Sequence, residues 1–252
     1  MNTAFLHSVS LRPPGDGEPE RSGHPWTLPV VEALAAETLA LDPAVTFLVG
    51  ENGSGKSTLI EALAGAAGMN VEGGSSNFAF STREQEGGLG DALRLARGIR
   101  RPRTDFFLRA ESLFNAATYL EGMRAEPFGS GALDAYGGRS LHDQSHGESF
   151  LAVVLNRFGP DGLYLLDEPE AALSAQNCLT LLRRMHELVS DGAQFVVATH
   201  SPVLLAYPGA TIYELSADGI EQVAYDDAAP VQLTRAFLAA PDAFVRRLLD
   251  AS

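Results

Sequence analysis

The sequence predicts an α/β fold in which a mostly parallel β-sheet is covered by helices on both faces. Three short apolar runs, at residues 44–49, 163–166 and 195–198, have the length and the aliphatic composition of buried strands. Predicted helices alternate with these strands along the chain. Such alternation is typical of a parallel sheet that lies between two layers of helices.

The other elements follow from the same periodicity and from turn residues. Strands are predicted at residues 44–49, 77–81, 106–109, 163–166 and 195–198, and a hairpin at residues 211–215 and 220–224. Helices are predicted at residues 57–67, 112–124, 149–158, 175–189 and 237–249. Loops are predicted at residues 12–25, 72–90 and 126–138, and the short strand at 77–81 lies within the second of them.

The length of 252 residues is compatible with one large domain or two small ones, and 45% of the residues are hydrophobic, which is enough for a sizeable core. Cys178 is the single cysteine, so no internal disulfide forms and a cytoplasmic location is expected. The apolar runs are too short to cross a bilayer, and no charged leader precedes an apolar stretch. Direct membrane insertion is therefore not expected.

The formal net charge of -14 argues against a broadly basic surface for nucleic acid. The exception is an arginine cluster that comprises Arg94, Arg97, Arg100, Arg101, Arg103 and Arg109. Runs of like charge are usually solvated, so we favour a solvated helix face that balances an acidic protein. A site for phosphates or for an acidic partner is the alternative.

The stretch GENGSGKST, residues 50–58, fits the pattern G-x-x-x-x-G-K-[ST] between a predicted strand and a predicted helix. Glycines let backbone amides curl around phosphate oxygens, and the helix N-terminus adds unpaired N–H groups. The pattern predicts a phosphate-binding loop. Its nucleotide-binding residues are Gly50, Glu51, Asn52, Gly53, Ser54, Gly55, Lys56, Ser57 and Thr58.

Lys56 is the only lysine among 18 lysines and arginines. A compact ammonium can reach between the β- and γ-phosphates of a nucleotide, whereas a planar guanidinium has the wrong shape for that cradle. Lys56 is therefore predicted to act in catalysis as well as in binding. The neighbouring Ser57 can supply a hydroxyl to Mg²⁺.

A second motif, LYLLDEPE at residues 163–170, is an apolar strand that ends in two carboxylates. The tips of parallel strands deliver side chains to the crevice where the phosphate-binding loop would hold its ligand. Asp167 is predicted to bind Mg²⁺, and Glu168 to orient and deprotonate the attacking water. An acidic pair alone is usually a solvated strand end, but the upstream loop favours catalysis.

A third motif, FVVATHSP at residues 195–202, begins with another buried strand at residues 195–198, and His200 lies just after that strand. A lone histidine is more often structural than catalytic. This one should emerge on the same rim of the sheet as the other two motifs. We therefore expect His200 to contact the γ-phosphate and to position the water.

A fourth motif, QSHGESF at residues 144–150, precedes an apolar helix and has two interpretations. Ser145 or Ser149 together with Glu148 can cap that helix. Alternatively, Ser145 and the amide of Gly147 form a second phosphate-binding helix terminus.

In this order, the four motifs resemble those of the ATP-binding-cassette (ABC) ATPase superfamily, over roughly residues 5–215. GENGSGKS resembles Walker A, LLDEP resembles Walker B with its catalytic glutamate, and ATHSP resembles the switch-histidine loop. QSHGE resembles the signature sequence, with His146 in place of a glycine. The resemblance implies a single domain over residues 1–252, a P-loop NTPase of the ABC-ATPase head type, with a smaller helical lobe at approximately residues 105–158.

The resemblance also implies that the chain binds ATP and Mg²⁺ and hydrolyses ATP. In this superfamily, two copies form a head-to-tail dimer, and each ATP lies between the P-loop of one copy and the signature of the other. A homodimer is therefore expected. Its trans residues would be Ser145, His146, Gly147 and Glu148.

Three further residues stand at positions where the family often has a residue of known role. Glu111 follows a predicted strand where the family usually has a glutamine linked to the Mg²⁺ site, so it is a candidate metal ligand or an ordinary helix-start glutamate. Trp26 is a candidate for stacking on adenine, or a core residue. Ser174 replaces an aspartate that the family often has in its dimer-contact loop.

The DEPE sequence and the irregular residues 72–103 favour a stand-alone, soluble ATPase of the "AAA family ATPase" group, related to DNA-repair and chromosome-structure ATPases. A role in DNA repair or stress defence is then expected, with DNA or a protein as partner. One alternative is a nucleotide-binding subunit that energises a membrane transporter. The other is an ATP-dependent dimerisation switch with little turnover, against which Glu168 argues.

Overall fold

Two β-sheets and their helices form the part of the chain that the structure, a computed structural model, describes: residues 4–15, 20–70, 88–110 and 145–250. The strands are β1 (Leu6–Leu11), β2 (Leu39–Ala40), β3 (Val45–Gly50), β4 (Leu93–Arg97), β5 (Thr104–Arg109), β6 (Gly162–Asp167), β7 (Gln194–Ala198), β8 (Thr211–Ser216) and β9 (Gly219–Val223). The helices are α1 (Pro29–Ala36), α2 (Lys56–Ala67), α3 (Leu89–Ala92), α4 (His146–Arg157), α5 (Ala175–Ser190), α6 (Pro202–Leu205), α7 (Ala229–Ala239) and α8 (Pro241–Asp250).

The large sheet has six strands in the order β5-β6-β7-β3-β8-β9. The first five are parallel, and β9 pairs antiparallel with β8. This arrangement confirms the predicted α/β fold with a mostly parallel sheet. The small sheet is antiparallel, in the order β2-β1-β4, and was not predicted.

Side chains on the central strands alternate between two apolar cores, one on each face of the large sheet. Phe47, Tyr164 and Phe195 belong to the core that also contains side chains of α4 and α5. Leu48 and Leu165 belong to the core that also contains side chains of α1, α2 and β1. A strand that is buried on both faces is apolar at almost every position, which is why these strands were recognisable as unbroken apolar runs.

The predicted strands of the large sheet are confirmed, with ends that differ by at most two residues. The predicted helices at 57–67 and 175–189 correspond to α2 and α5. The strand predicted at 77–81, the helix at 112–124 and the loop at 126–138 lie outside the described residues. Of the expected helical lobe, the described parts are β5, which belongs to the large sheet, and α4.

Two helix predictions need correction. The helix predicted at 149–158 begins at His146, because Ser145 accepts a hydrogen bond from the backbone of Glu148 and caps an earlier turn. The single helix predicted at 237–249 is wrong, since α7 ends at Ala239 and a new helix starts at Pro241. Proline has no N–H and is tolerated in a first turn but not in a helix interior.

The prediction of a helix face for the arginine cluster is also wrong, because that segment forms β4 and β5. Leu93 is buried and Arg94 is exposed, while Leu95 is partly buried and Ala96 is exposed. This period of two fits a strand and lets β4 pair with β1.

No helix in the described part of the chain is long and apolar enough to span a bilayer.

Gln194, which is fully buried at the start of β7, joins the small sheet to the large one. Its Oε1 accepts hydrogen bonds from the N–H groups of Phe5 and Leu6, both at 2.9 Å. Its Nε2 donates to the carbonyl oxygens of Leu6 at 2.7 Å and Asp42 at 2.8 Å. These backbone groups lie where water does not satisfy them, so the amide supplies their partners.

Replacing Gln194 with leucine should therefore lower the free energy of unfolding by about 3 kcal/mol or more, because buried backbone donors and acceptors lose their partners. Urea denaturation at pH 7 measures this change. The matched control is Gln232→Ala, on the exposed surface of α7, which should change the free energy of unfolding by less than about 0.5 kcal/mol. A Gln194→Leu protein with an unchanged denaturation midpoint would contradict the assigned role.

Candidate functional site

The carboxyl ends of four parallel strands meet at one edge of the large sheet. Strand β3 ends at Gly50, and β6 ends at Asp167, which pairs in register with Ala198 at the end of β7. Arg109, the last residue of β5, pairs with Asp167 on its other side. The phosphate-binding loop, the acidic pair and the segment of His200 therefore follow from neighbouring strands, at the edge where such sheets bind ligands.

A cavity of about 350 Å³ lies at this edge. Its lining combines the predicted loop, the strand ends and two residues that precede α1: His24, Leu28, Asn52, Gly53, Gly55, Lys56, Ser57, Thr58, Arg109, Ala110, Asp167, Glu168 and Ala171. Sequence reasoning predicted Asp167, Glu168 and most of the loop. The size is that of a pocket for a small molecule.

Two glycines of the loop occupy positions that admit no larger residue. At Gly50, a Cβ would lie 2.2 Å from the carbonyl oxygen of Leu215 on β8. At Gly55, φ is +93°, and a Cβ would lie 2.6 Å from Cγ1 of Val30 on α1. Helix α2 begins directly after Gly55, so these glycines let the chain turn sharply from strand to helix.

Lys56 extends into its own loop and is 3% exposed. Its Nζ donates to the carbonyl oxygens of Gly50 at 2.8 Å and Glu51 at 3.0 Å. An ammonium has three N–H donors, and these bonds use two of them. Burial lowers the pKa of Lys56, and the carboxylates of Glu168 and Asp167 act in the opposite direction. The loop thus holds a compact cation beside the cavity.

Ser57 and Asp167 face each other across the cavity floor. The hydroxyl of Ser57 donates to Oδ1 of Asp167 at 3.1 Å, and Asp167 is 1% exposed. Burial raises the pKa of Asp167 to about 6, although Arg109 and the Ser57 hydroxyl lower it. In the described part of the chain, no group of three acidic, histidine or cysteine residues could hold a metal. One carboxylate and one hydroxyl suit Mg²⁺, which usually keeps waters or phosphate oxygens as further ligands.

Glu168 lines the cavity, and His200, which is not among the lining residues, lies behind it with its Nε2 3.5 Å from Glu168 Oε1. Glu168 has a φ of +46°, a left-handed conformation that is strained for a residue with a side chain. Its N–H donates to the carbonyl of Ala198 at 2.9 Å. The N–H of His200 donates to Glu170 Oε1 at 2.5 Å, which fixes the backbone at the histidine.

Arg109 is the main site residue whose position sequence reasoning missed. Its Nε lies 3.3 Å from Asp167 Oδ2, and its Nη1 pairs with the carboxylate of Glu61 on α2. From the sequence it was grouped with the other arginines of the cluster, which were predicted to be solvated. The available signal was its place at the end of the predicted strand 106–109, which pairs with the strand of the acidic motif.

The structure describes only one of the two residues expected to contact adenine and to complete the metal site. Trp26 is partly buried against the core shared by α1 and α2, and the guanidinium carbon of Arg21 lies 5.0 Å from its ring centroid. His24 and Leu28, on either side of Trp26 in the sequence, line the cavity. Stacking of Trp26 on adenine stays a prediction. Glu111 lies outside the described residues.

The signature-like residues 145–148 form a capping box at the start of α4. Ser145 Oγ accepts from the N–H of Glu148 at 3.3 Å, and Glu148 Oε2 accepts from the N–H of Ser145 at 2.9 Å. Ser145, His146 and Glu148 are exposed, and Gly147 is partly buried. The helix cap is thus present within one chain, and a role in trans stays a prediction. Ser174 caps α5 by accepting from the N–H of Asn177 at 3.2 Å.

Several curated proteins are similar to this chain. It is 29% identical over 223 residues to ribose import ATP-binding protein RbsA 3 of Rhizobium etli, covering 79% of this chain and 42% of that protein. It is 31% identical over 195 residues to ribose import ATP-binding protein RbsA 1 of Rhizobium meliloti, covering 69% and 37%. The chain thus spans about two fifths of the length of these relatives.

Two solved structures that align with this chain have TM-scores below 0.5. With cbiO1 of Clostridium perfringens, part of the ABC transporter complex cbiONQ, the TM-score is 0.48 at 15% identity, covering 98% of this chain and 99% of that one. With the SMC head domain from Thermotoga maritima, the TM-score is 0.40 at 18% identity, covering 74% and 92%.

A protein-family profile matches more than half of the chain, at residues 45–126 and 132–206. The family is described as "AAA domain, putative AbiEii toxin, Type IV TA system". The matched residues contain the phosphate-binding loop, the acidic motif and His200. The chain therefore belongs to this family, and it has the fold of a P-loop NTPase of the ABC type.

Proposed function

We propose that this chain binds ATP with Mg²⁺ in the cavity at the sheet edge and hydrolyses it to ADP and phosphate. The observation that carries the proposal is the buried ammonium of Lys56, held on two carbonyls of its own loop beside the Ser57–Asp167 pair. A cation, a glycine-rich turn and a helix N-terminus at one place suit a chain of phosphates.

Binding of the phosphates uses groups that the loop already orients. Lys56, Ser57 and Thr58 at the start of α2 line the cavity, and Lys56 has a donor beyond its two carbonyl bonds. Ser57 and Asp167 would hold Mg²⁺. When bound, Mg²⁺ offsets charge on the phosphate oxygens.

Hydrolysis uses Glu168 and His200. The side chain of Glu168 lines the cavity and is about two fifths exposed, so its carboxylate can accept a proton from a water beside the γ-phosphate. His200 lies within 3.5 Å of that carboxylate and can orient both the water and the glutamate. Catalysis of this kind consists of positioning and charge stabilisation more than of covalent chemistry.

Two copies of the chain form the working unit in this proposal. Residues 145–148 cap α4 at the surface, where a second copy can reach them. The P-loop of one copy would face these residues of the other, in a head-to-tail homodimer. Ser145 and Gly147 would then contact the nucleotide in trans, next to His146 and Glu148.

The process that hydrolysis drives is a separate part of the proposal. We favour a stand-alone cytoplasmic ATPase that acts on DNA or on a protein, in DNA repair or stress defence. The second candidate is a transporter subunit, which the names of the ribose import relatives favour.

Cell fractionation distinguishes the two candidates. If the chain is a stand-alone ATPase, a tagged chain at native expression level should remain in the supernatant after high-speed centrifugation. Recovery in salt-washed membranes would favour the transporter subunit instead.

Two substitutions separate binding from turnover. Lys56→Ala should weaken ATP binding by at least about tenfold, because the phosphates lose their buried cation. Glu168→Gln should keep the affinity and reduce turnover by about 100-fold or more, because the general base is lost. Fluorescent-nucleotide titration and phosphate release measure the two effects, with exposed Arg101→Gln as the control. A Glu168→Gln protein with normal turnover would refute the assigned role.

The dimer is tested by light scattering of the Glu168→Gln protein, which should trap ATP. The mass should double only when Mg²⁺ and ATP are both present. The double variant Lys56→Ala/Glu168→Gln should stay monomeric and serves as the control. A monomer with ATP bound would contradict the head-to-tail arrangement, whereas strong dimerisation of the unchanged protein with scarcely any turnover would favour a switch.

The gain in nucleotide affinity that Mg²⁺ produces should fall as the pH drops from 7 to 5. The pKa of Asp167 is raised to about 6, so this carboxyl takes up a proton in that range and a protonated carboxyl does not bind a cation. At pH 5, roughly one tenth of the Asp167 carboxyl groups are ionised. Titrations with Mg²⁺ and with EDTA at each pH measure the gain. The Asp167→Asn variant lacks this carboxyl, so its pH dependence reports protonation of the nucleotide alone. If the unchanged protein gave the same pH curve as this variant, Asp167 would not be the titrating group at the Mg²⁺ site.

A further inference from the structure

Arg109 links three elements around the Ser57–Asp167 pair. It ends strand β5, in register with Asp167 at the end of β6. Its Nε lies 3.3 Å from Asp167 Oδ2, while the other carboxylate oxygen, Oδ1, accepts from Ser57. The two oxygens of Asp167 therefore face different partners, one from α2 and one from β5.

The guanidinium is itself anchored on α2. Its Nη1 pairs with the carboxylate of Glu61, which lies one helical turn after Ser57 and so on the same side of α2. Ser57, Asp167, Arg109 and Glu61 thus form a chain of contacts whose two ends both lie on α2. A planar guanidinium can hold two carboxylates at once in a fixed geometry, which a lysine ammonium does not do.

The burial of Asp167 explains why these contacts matter. Its side chain is 2% exposed, so its neighbours in the protein set the orientation of the carboxylate. Ser57 holds one carboxylate oxygen and Arg109 lies 3.3 Å from the other, so the two contacts together fix the plane of the group. Arg109 faces it without occupying the oxygen that adjoins the Ser57 hydroxyl.

We propose that Arg109, anchored by Glu61, is a positioning residue for the metal site: it holds Oδ2 of Asp167 so that Oδ1 and the Ser57 hydroxyl together face the cation. The inference rests on the proposed function of the site and goes beyond it, since it assigns the Mg²⁺ dependence of nucleotide binding to a residue outside the four motifs. Arg109 acts through Asp167 and not on the phosphates.

The experiment titrates Mg²⁺ into protein with a fluorescent ATP analogue and compares the Mg²⁺ concentration at half-maximal response. In Arg109→Gln this midpoint should rise about 10- to 100-fold, the usual loss when a residue behind a metal ligand is removed. Arg109→Lys and Glu61→Gln should give smaller increases. Nucleotide affinity in EDTA should stay within about twofold of the unchanged protein. Arg101→Gln, an exposed arginine on the same β4–β5 segment, should leave both quantities unchanged.

An Arg109→Gln midpoint equal to or below that of the unchanged protein would overturn the inference, because Arg109 would then be neutral or would compete with the cation. A large loss of affinity in EDTA would overturn it as well, since Arg109 would be acting on the nucleotide. Thermal unfolding checks that the variants fold, and Arg109→Lys and Glu61→Gln carry the test if Arg109→Gln does not. Absence of nucleotide binding in the unchanged protein would instead refute the proposed function itself.

Discussion

The register of four parallel strands is the constraint on which the whole site depends. Leu48 of β3 pairs with Ala198 of β7, Ala198 pairs with Asp167 of β6, and Asp167 pairs with Arg109 of β5. These residues form one row across the sheet. A slip of one residue in any strand would turn its side chains to the opposite face. The apolar cores on both faces resist that slip, so the packing of the sheet sets the geometry of the site.

The site itself concentrates charge and strain in a fold that is otherwise apolar at its centre. Burial raises the pKa of Asp167 and lowers that of Lys56, so both groups are ionised at a cost in stability. Glu168 adds a left-handed backbone conformation. Such features persist where a preorganised arrangement of charges is needed for a ligand. The bonds from Lys56 to Gly50 and Glu51 show how the loop keeps its cation in place.

Local patterns predicted the central strands and the phosphate-binding loop, because unbroken apolar runs and fixed glycine positions depend on few neighbours. They did not predict the small sheet, whose β1 and β4 are half exposed and pair across more than 80 residues of sequence. They also placed Arg109 with its sequence neighbours, although the partner that defines it, Asp167, is distant in sequence and adjacent in register. Long-range pairing is the information that a local pattern lacks.

A crystal structure of the chain with Mg²⁺ and a non-hydrolysable ATP analogue is the decisive measurement for this site. The β- and γ-phosphates should lie over the loop of residues 50–57, within hydrogen-bond distance of Lys56 Nζ. The cation should lie beside Ser57 and Asp167. A nucleotide bound at another place, or phosphates beyond the reach of Lys56, would show that the cavity at the sheet edge is not the ATP site.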